Sequence, residues 1–509
     1  MAAPMVTCRK CRYLLHFAHE HLDFRLAELK SVAGLFNIPV SVPTDSQLQN
    51  PFVVVDLPNE EAARKIASRT ILVKSLFELW AKGSTYEELF SDLRNLPKHF
   101  TETYRNGSFC IRLTSFNKQL SMVEKIRRIE TLLDGNVAFD GKMNLKHPDN
   151  NFHLLEYYGA NQVEPSEHPI TIYFGRWIAD GQRENIKTYH LQNRKFIGNT
   201  SMDATLGFIM ANMGQVKPNS VVFDPFVGTG SLLIAGAHHG AYVMGTDIDY
   251  KLLHSRGRSS RTGQKWRRPD ENIYENLRQY NLSHRFLDCL VADASQHSLW
   301  RQQPLFDAIV TDPPYGIREA TNRVGTTKES VKISEDHKAD HVPSKVNYHL
   351  SDILKDLLNF AAKYLTLHGR LTFWLPVYRP DYVDEHIPRH SCLHLVANSE
   401  QILNSKISRR LVTMEKVKEF DGELADESAT MPQDPYQGGT FREKYFTPNS
   451  KAPHERPRAA RTTAARSACL AGDTTDGRRH AKTMRSEKQD DLTKRTDVVS
   501  MASSSVADT

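Results

Sequence analysis

The chain has 509 residues, of which 39% are hydrophobic and 25% charged, with a formal net charge of +6. That length allows two to four globular domains; six cysteines are too sparse for a disulfide framework, and no apolar run is long enough for a bilayer span. The N-terminus "MAAPMVTCRKCRYLL" lacks an apolar signal core, so the expected compartment is the cytoplasm, and the mild positive charge is weak evidence for a polyanionic partner.

From residue 12 to about 160, strand and helix patterns alternate. "RYLLHFA" reads as a strand and "FRLAELKSVAGLF" as an amphipathic helix with Leu26, Leu29, Val32, Ala33 and Phe36 on its apolar face. "PFVVVDL" reads as a strand, followed by a helix near Pro58-Asn59 that carries Ala62, Ala63, Ile66 and Ala67 on one side. "TYRNGSFCIRLTSF", "LSMVEKIRRIETLL" and "FHLLEYYG" continue the mixture, so this half consists of small α+β modules.

The composition changes after residue 165, and from about 200 short apolar strands are each trailed by a helix: "VVFDPF", "YVMGTDI", "CLVADA", "FDAIVTDPP" and "GRLTFWLP". This spacing predicts a parallel, doubly wound sheet. "RRLVTMEK" near Arg409 is expected to be the last strand of that sheet. Two polar stretches interrupt the domain, a basic one over 255–271 and a lysine-rich one over 318–347. Beyond Phe446 large apolar residues are few, which predicts a disordered tail over 447–509.

Chemistry concentrates at the strand ends. In "VVFDPFVGTGSLL" a strand runs into Asp224 and Pro225, then a turn with Gly228, Thr229 and Gly230, then a helix. Glycines there let a ligand approach the backbone at the carboxyl end of a parallel strand. Leu233 stands where a dinucleotide fingerprint needs its third glycine, and no Gly-Lys-Ser/Thr follows, so phosphate ligands are disfavoured. An opening carboxylate suits a cationic ligand with an amino acid head. The next strand ends at Asp247, placed for both hydroxyls of a ribose, and the third at Asp293, placed for an adenine amino group. Singly, each is more commonly a cap or turn residue. Together they describe a pocket for S-adenosylmethionine.

The fourth strand ends in Asp312-Pro313-Pro314-Tyr315. Prolines stop a ladder and leave carbonyls unpaired. The Asp312 carboxylate and the Pro313 carbonyl can accept both hydrogens of a planar exocyclic amine, and Tyr315 offers a face to stack the attached ring. Alone, the tetrapeptide reads equally well as a tight turn; the glycine turn upstream on the same sheet favours chemistry.

"DPFVGTG" with "DPPYGIR" resembles the Rossmann-type amino-group methyltransferases. The wider run "IYFGRWIADGQRENI", "FIGNTSMDATLGFIMAN" and "QKWRRPDENIYENLRQY" is similar to the catalytic subunits of eukaryotic transfer RNA guanine-10 N2-methyltransferases, from about residue 12 to Phe446. The resemblance implies a ferredoxin-like segment over 1–72, an RNA-gripping THUMP module over 73–180 and a methyltransferase domain over 181–446. It also implies S-adenosylmethionine as cofactor, tRNA as substrate and a small zinc-binding activator subunit. Asp224, Gly228, Gly230, Asp247 and Asp293 match the family's cofactor positions, and Asp312 to Tyr315 its catalytic tetrad; the tail after Phe446 departs from the family's pattern.

Weaker features complete the reading. Cys8 and Cys11 have zinc-ligand spacing, but no second pair answers them, so no metal site is expected. His16, His19 and His21 are expected to be satisfied or exposed. Arg256, Arg258, Arg261, Lys265, Arg267 and Arg268 flank Trp266, a pattern suited to phosphate contact with base stacking as well as to a solvated loop. The expected function is methylation of the guanine N2 amine at position 10 of tRNA. The competing readings are the same chemistry on adenine N6 or a glutamine, and an idle RNA-binding scaffold.

Overall fold

The computed structural model describes residues 11–42, 49–134, 137, 139–160, 163–301, 303–327, 343–421, 428–436 and 441–446. Cys8 and the segment after Phe446 lie outside these residues. The N-terminal strands are β1 (Cys11–Phe17), β2 (Phe52–Leu57), β3 (Val73–Gly83), β4 (Phe109–Phe116), β5 (Asn150–Tyr157) and β6 (Thr171–Asp180). They form one sheet in the order β2-β1-β3-β6-β5-β4, antiparallel throughout except between β4 and β5. The parallel pair needs a crossover, supplied by the helix Met122–Leu133, whose start is closed by a Ser121–Glu124 capping box. The expected division after residue 72 falls immediately before β3, which pairs with β1 on one side and β6 on the other, so the sheet runs on across it. Alternate side chains fill two cores: Trp80, Phe109, Phe152 and Phe174 in one, Leu14, Phe52, Phe77 and Tyr173 in the other.

The second sheet contains β7 (Val221–Asp224), β8 (Tyr242–Asp247), β9 (Phe286–Val291), β10 (Phe306–Thr311), β13 (Leu365–Tyr378), β14 (Leu393–Ile402) and β15 (Ile407–Lys416). A small antiparallel pair, β11 (Asn322–Val324) and β12 (Lys345–Asn347), lies in the polar insertion. The sheet order is β14-β15-β13-β10-β7-β8-β9, with the run from β13 to β9 parallel and the β13-β15-β14 end antiparallel. The last of the described strands, β15, is thus interior, between β13 and β14. The order reverses between β7 and β10, and ligands of doubly wound folds bind at the carboxyl ends of the strands beside such a switch.

A buried polar seam joins the two halves. Glu28, on the helix Arg25–Leu35, is fully buried and accepts from the Ile71 and Leu72 amides and from Asn212 Nδ2, at 2.8–2.9 Å. Arg69 Nε donates to Asn212 Oδ1 at 3.1 Å, and Ser31 Oγ donates to the Asn212 carbonyl at 2.7 Å. From β13, Arg370 donates to Ser31 Oγ at 2.9 Å while pairing with Glu415 at 3.1 Å. Buried polar groups need such partners, so these bonds fix how the N-terminal helix lies against Ala204–Met213, a helix buried along its whole length.

Candidate active site

Three strand ends place the acids. Asp224 closes β7 and is 2% exposed; its Oδ1 accepts from the Phe226 amide at 3.0 Å and from Thr311 Oγ1 at 2.6 Å. Burial raises its pKa to about 7, and Asp247 and Asp312 push the same way. Among the described residues no ion pair reaches it. Asp247 closes β8, and its Oδ2 accepts from the Gly228 amide at 2.9 Å while Oδ1 accepts from Asp249. Burial raises this carboxyl as well, against those two amides. Asp293 lies two residues past β9, and its oxygens accept from the Ser295 and Val324 amides at 2.9 and 2.6 Å. The Val324 amide ties β11 across the strand end. Each oxygen of Asp247 and Asp293 has one such partner here, and a carboxylate oxygen can accept two.

Between Asp224 and the following helix, Gly228 and Gly230 adopt φ of 51° and 74°, a region that disfavours side chains. A Cβ on Gly230 would stand 2.8 Å from Ile273 Cγ2. The turn is braced by Thr229 Oγ1, 2.6 Å from Ser201 Oγ, and by the Pro225 carbonyl, which accepts from Thr246 at 3.2 Å.

Asp312 follows β10 directly. Its Oδ1 accepts from the Tyr315 hydroxyl, and its Oδ2 accepts from Arg409 Nη1 at 3.4 Å. Burial raises the Asp312 carboxyl, and Arg409 opposes the rise. The Asp312 side chain keeps 23% of its surface exposed, enough for a substrate to reach. Pro313 is buried, Pro314 and Tyr315 are half-buried, and Gly316 at φ 77° turns the chain away. A cavity of about 320 Å³ opens beside Tyr315, lined also by Arg318, Asn347, His349 and Arg442. The acids at the ends of β8 and β10 therefore sit close enough to raise the Asp224 carboxyl between them. Arg409 and Thr311 were not foreseen as members of the site; Arg409 lies 97 residues beyond Asp312, and a charged residue on a strand carries no local mark of its partner.

The basic stretch divides. Arg256, Arg258, Lys265, Trp266 and Arg268 are exposed. Arg261 turns inward and donates to the Arg194 and Lys195 carbonyls, and Arg267 lies over the Phe196 ring at 5.3 Å, its pKa lowered by burial. His16 is not exposed: it stacks on Phe52 at 4.8 Å, with burial and nearby Lys74 and Arg25 lowering its pKa to about 3.

Does this pocket fit S-adenosylmethionine? Its three acids, one of them buried with no ion pair among the described residues, together with the glycine turn, suit a sulfonium nucleoside, whose positive charge favours their ionised form, and disfavour phosphates. Fold and site define an S-adenosylmethionine-dependent amino-group methyltransferase of the Rossmann type. Comparison with known proteins narrows the class. Residues 11–183 match the family model "Tmrp11 THUMP N-terminal domain", and residues 192–328 match "RMKL-like, methyltransferase domain". The chain is 52% identical over 451 residues to the Homo sapiens tRNA (guanine(10)-N(2))-methyltransferase TRMT11, covering 87% of this chain and 96% of that protein. The Gallus gallus enzyme of the same name is 52% identical over 442 residues, 86% of this chain and 95% of that one. The Dictyostelium discoideum enzyme is 35% identical over 448 residues, 83% and 85%. The chain belongs to the tRNA (guanine(10)-N(2))-methyltransferase family.

Proposed function

We propose that this chain is the catalytic subunit that methylates the exocyclic N2 amine of guanine at position 10 of tRNA, with Asp312, Pro313, Pro314 and Tyr315 as its catalytic turn. The observation that carries the assignment of the turn is the placement of Asp312 at the tip of β10, next in the sheet to the glycine turn that follows β7. S-adenosylmethionine, when bound, supplies an activated methyl group on a positively charged sulfur. Asp224, Asp247, Asp293 and the Gly228-Thr229-Gly230 turn would hold it.

The chain's own work is to capture and aim a weak nucleophile, since the amine lone pair is delocalised into the guanine ring. The target base must leave its stack before its amine can reach Asp312, whose side chain keeps part of its surface exposed. Asp312 Oδ1 releases the Tyr315 hydroxyl and accepts one amine hydrogen, while the Pro313 carbonyl accepts the other. Tyr315, freed, stacks on the base. Holding the amine in line contributes up to about 7–11 kcal/mol in favourable cases. The Asp312 carboxylate takes the departing proton.

The exposed part of the basic stretch, Arg256, Arg258, Lys265, Trp266 and Arg268, supports tRNA contact on the catalytic domain, and we read 1–72 and 73–180 as a ferredoxin-like segment and a THUMP module that share one continuous sheet. A zinc-binding activator is supported by the free edge of β9, where Leu287, Leu290 and Val291 are 51%, 46% and 45% exposed. An apolar strand edge is a ready surface for a partner. Among the described residues no helix is long and apolar enough to cross a membrane, and we place the protein in the cytoplasm.

The test is transfer from labelled S-adenosylmethionine to bulk tRNA, with and without activator, followed by mapping of the modified nucleotide. Label on N2 of guanine 10 supports the reading. Cofactor binding without label on RNA would refute it and favour a DNA or protein amine.

A further inference from the structure

Arg409, on β15, serves several partners at once. Nη1 donates to Asp312 Oδ2 at 3.4 Å, and Nε donates to Gln401 Oε1 on β14 at 2.7 Å. The guanidinium lies over the Trp374 ring, 4.1 Å from its centre. Trp374 is fully buried on β13, its indole N–H donates to Met210 Sδ at 3.1 Å, and its ring lies 5.9 Å from Phe24 of the N-terminal half. A planar, always charged, weakly hydrated group is suited to stacking and forked donation together; a lysine ammonium is not.

We infer that Arg409 is a positioning residue for methyl transfer: clamped between Trp374 and Gln401, it holds the Asp312 carboxylate ionised and in one orientation for the incoming amine. The charged and titratable groups around the pair are consistent with that role. Tyr315 faces Asp312 from its own turn, Asp224 lies within its field from β7, and Asp203 and His21 act on Arg409 from the segments packed against it. Arg409 is the cation that offsets the burial of Asp312. Met202, whose sulfur lies 3.7 Å from Arg409 Nη2, closes the remaining side.

This inference rests on Asp312 being the acceptor of the amine, so Asp312→Ala is measured alongside. The experiment is the pH profile of kcat and KM on tRNA for the full chain with activator supplied, comparing R409Q, R409K and D312A, with thermal stabilisation by S-adenosylmethionine recorded for each. R409Q is expected to keep cofactor stabilisation and tRNA KM while the acidic limb of kcat moves up by about one pH unit or more. Below the limb each pH unit is a tenfold loss of rate. R409K is expected to return most of the limb position while kcat stays reduced. Equal losses in R409Q and R409K with an unmoved limb mean a merely structural residue and overturn the inference, as does full activity of R409Q. If R409Q does not fold, Gln401→Leu loosens the clamp without removing the charge, and an unchanged kcat there overturns it equally. Substantial turnover by D312A would remove the reading of Asp312 and this inference together; an inactive D312A beside a normal R409Q would remove only the inference.

Discussion

Asp224→Asn is the sharpest probe of the pocket's electrostatics. Asp224 is 2% exposed, and its pKa is raised from 3.8 to about 7 by burial, with two neighbouring acids adding to the rise. The folded protein therefore keeps a proton on this carboxyl between pH 4 and 7 that the unfolded chain has released. Stability rises with pH only where the unfolded state binds more protons, so here it falls across that window and levels off above pH 7. The gap between 3.8 and about 7 corresponds to about 4 kcal/mol at 1.36 kcal/mol per pH unit. Asparagine keeps an oxygen for the Phe226 amide and Thr311 hydroxyl but cannot ionise. Urea unfolding of cofactor-free protein from pH 5 to 8 should show the unsubstituted chain losing about 3 kcal/mol relative to D224N, whatever the constant offset between them. S-adenosylmethionine, as a cation, should bind the unsubstituted chain more tightly as pH rises from 6 to 8, because binding favours the ionised acid. If the stability difference between the two proteins does not change with pH, Asp224 is not a buried neutral acid and the reasoning fails.

Asp312→Ala should leave thermal stabilisation by S-adenosylmethionine nearly intact while abolishing methylation; substantial residual turnover would refute the role given to Asp312. Arg256→Ala with Arg268→Ala, both exposed, should weaken tRNA binding and reduce the slope of log affinity against log salt by about 0.7–0.9 for each phosphate no longer neutralised, read by filter binding at several salt concentrations. Arg267→Ala should instead destabilise the fold, since that guanidinium packs on Phe196, and a change confined to the salt slope would contradict this. Glu28→Ala strands the Ile71 and Leu72 amides and the Asn212 side chain, and should cost about 3 kcal/mol or more in a chemical denaturation experiment.

Much of the methyltransferase half is legible in the sequence because its signals are local. Val221–Asp224 and Phe306–Thr311 are short apolar runs stopped by Asp-Pro, and Gly228 and Gly230 mark a turn in a backbone region that disfavours side chains. In the N-terminal half the local signals are caps: Asn59, Thr85 and Ser121 each close a helix start within three residues of themselves. What eluded the sequence is long-range. Nothing near Glu28 announces Asn212, nothing near Ser31 announces Arg370, and nothing near Arg409 announces Asp312. The basic stretch shows the same limit from the other side: its six cationic residues separate into exposed and inward-facing sets only when Phe196 and the Arg194 carbonyl come beside them.

The seam and the site are linked by energetics. Asp224, Asp247 and Asp312 are all held above their ordinary carboxylate range by burial, so the cluster by itself opposes folding at neutral pH. Such a cluster persists only if the surrounding structure holds it together. Here β7, β8 and β10 are adjacent strands of one parallel run, and the seam of Glu28, Asn212, Arg69, Ser31 and Arg370 braces the helix before β7 and the strand beside β10. Arg409 opposes the rise of Asp312 and Lys345 that of Asp247, while among the described residues no ion pair reaches Asp224. On the proposed reading, the acid left without a cation lies where a cationic cofactor would bring its own charge and favour its ionisation, and Asp312, with Arg409 beside it, lies where a neutral amine would arrive. On that reading the division suits a transfer from a sulfonium to a neutral base, and it follows from which strand end receives the arginine.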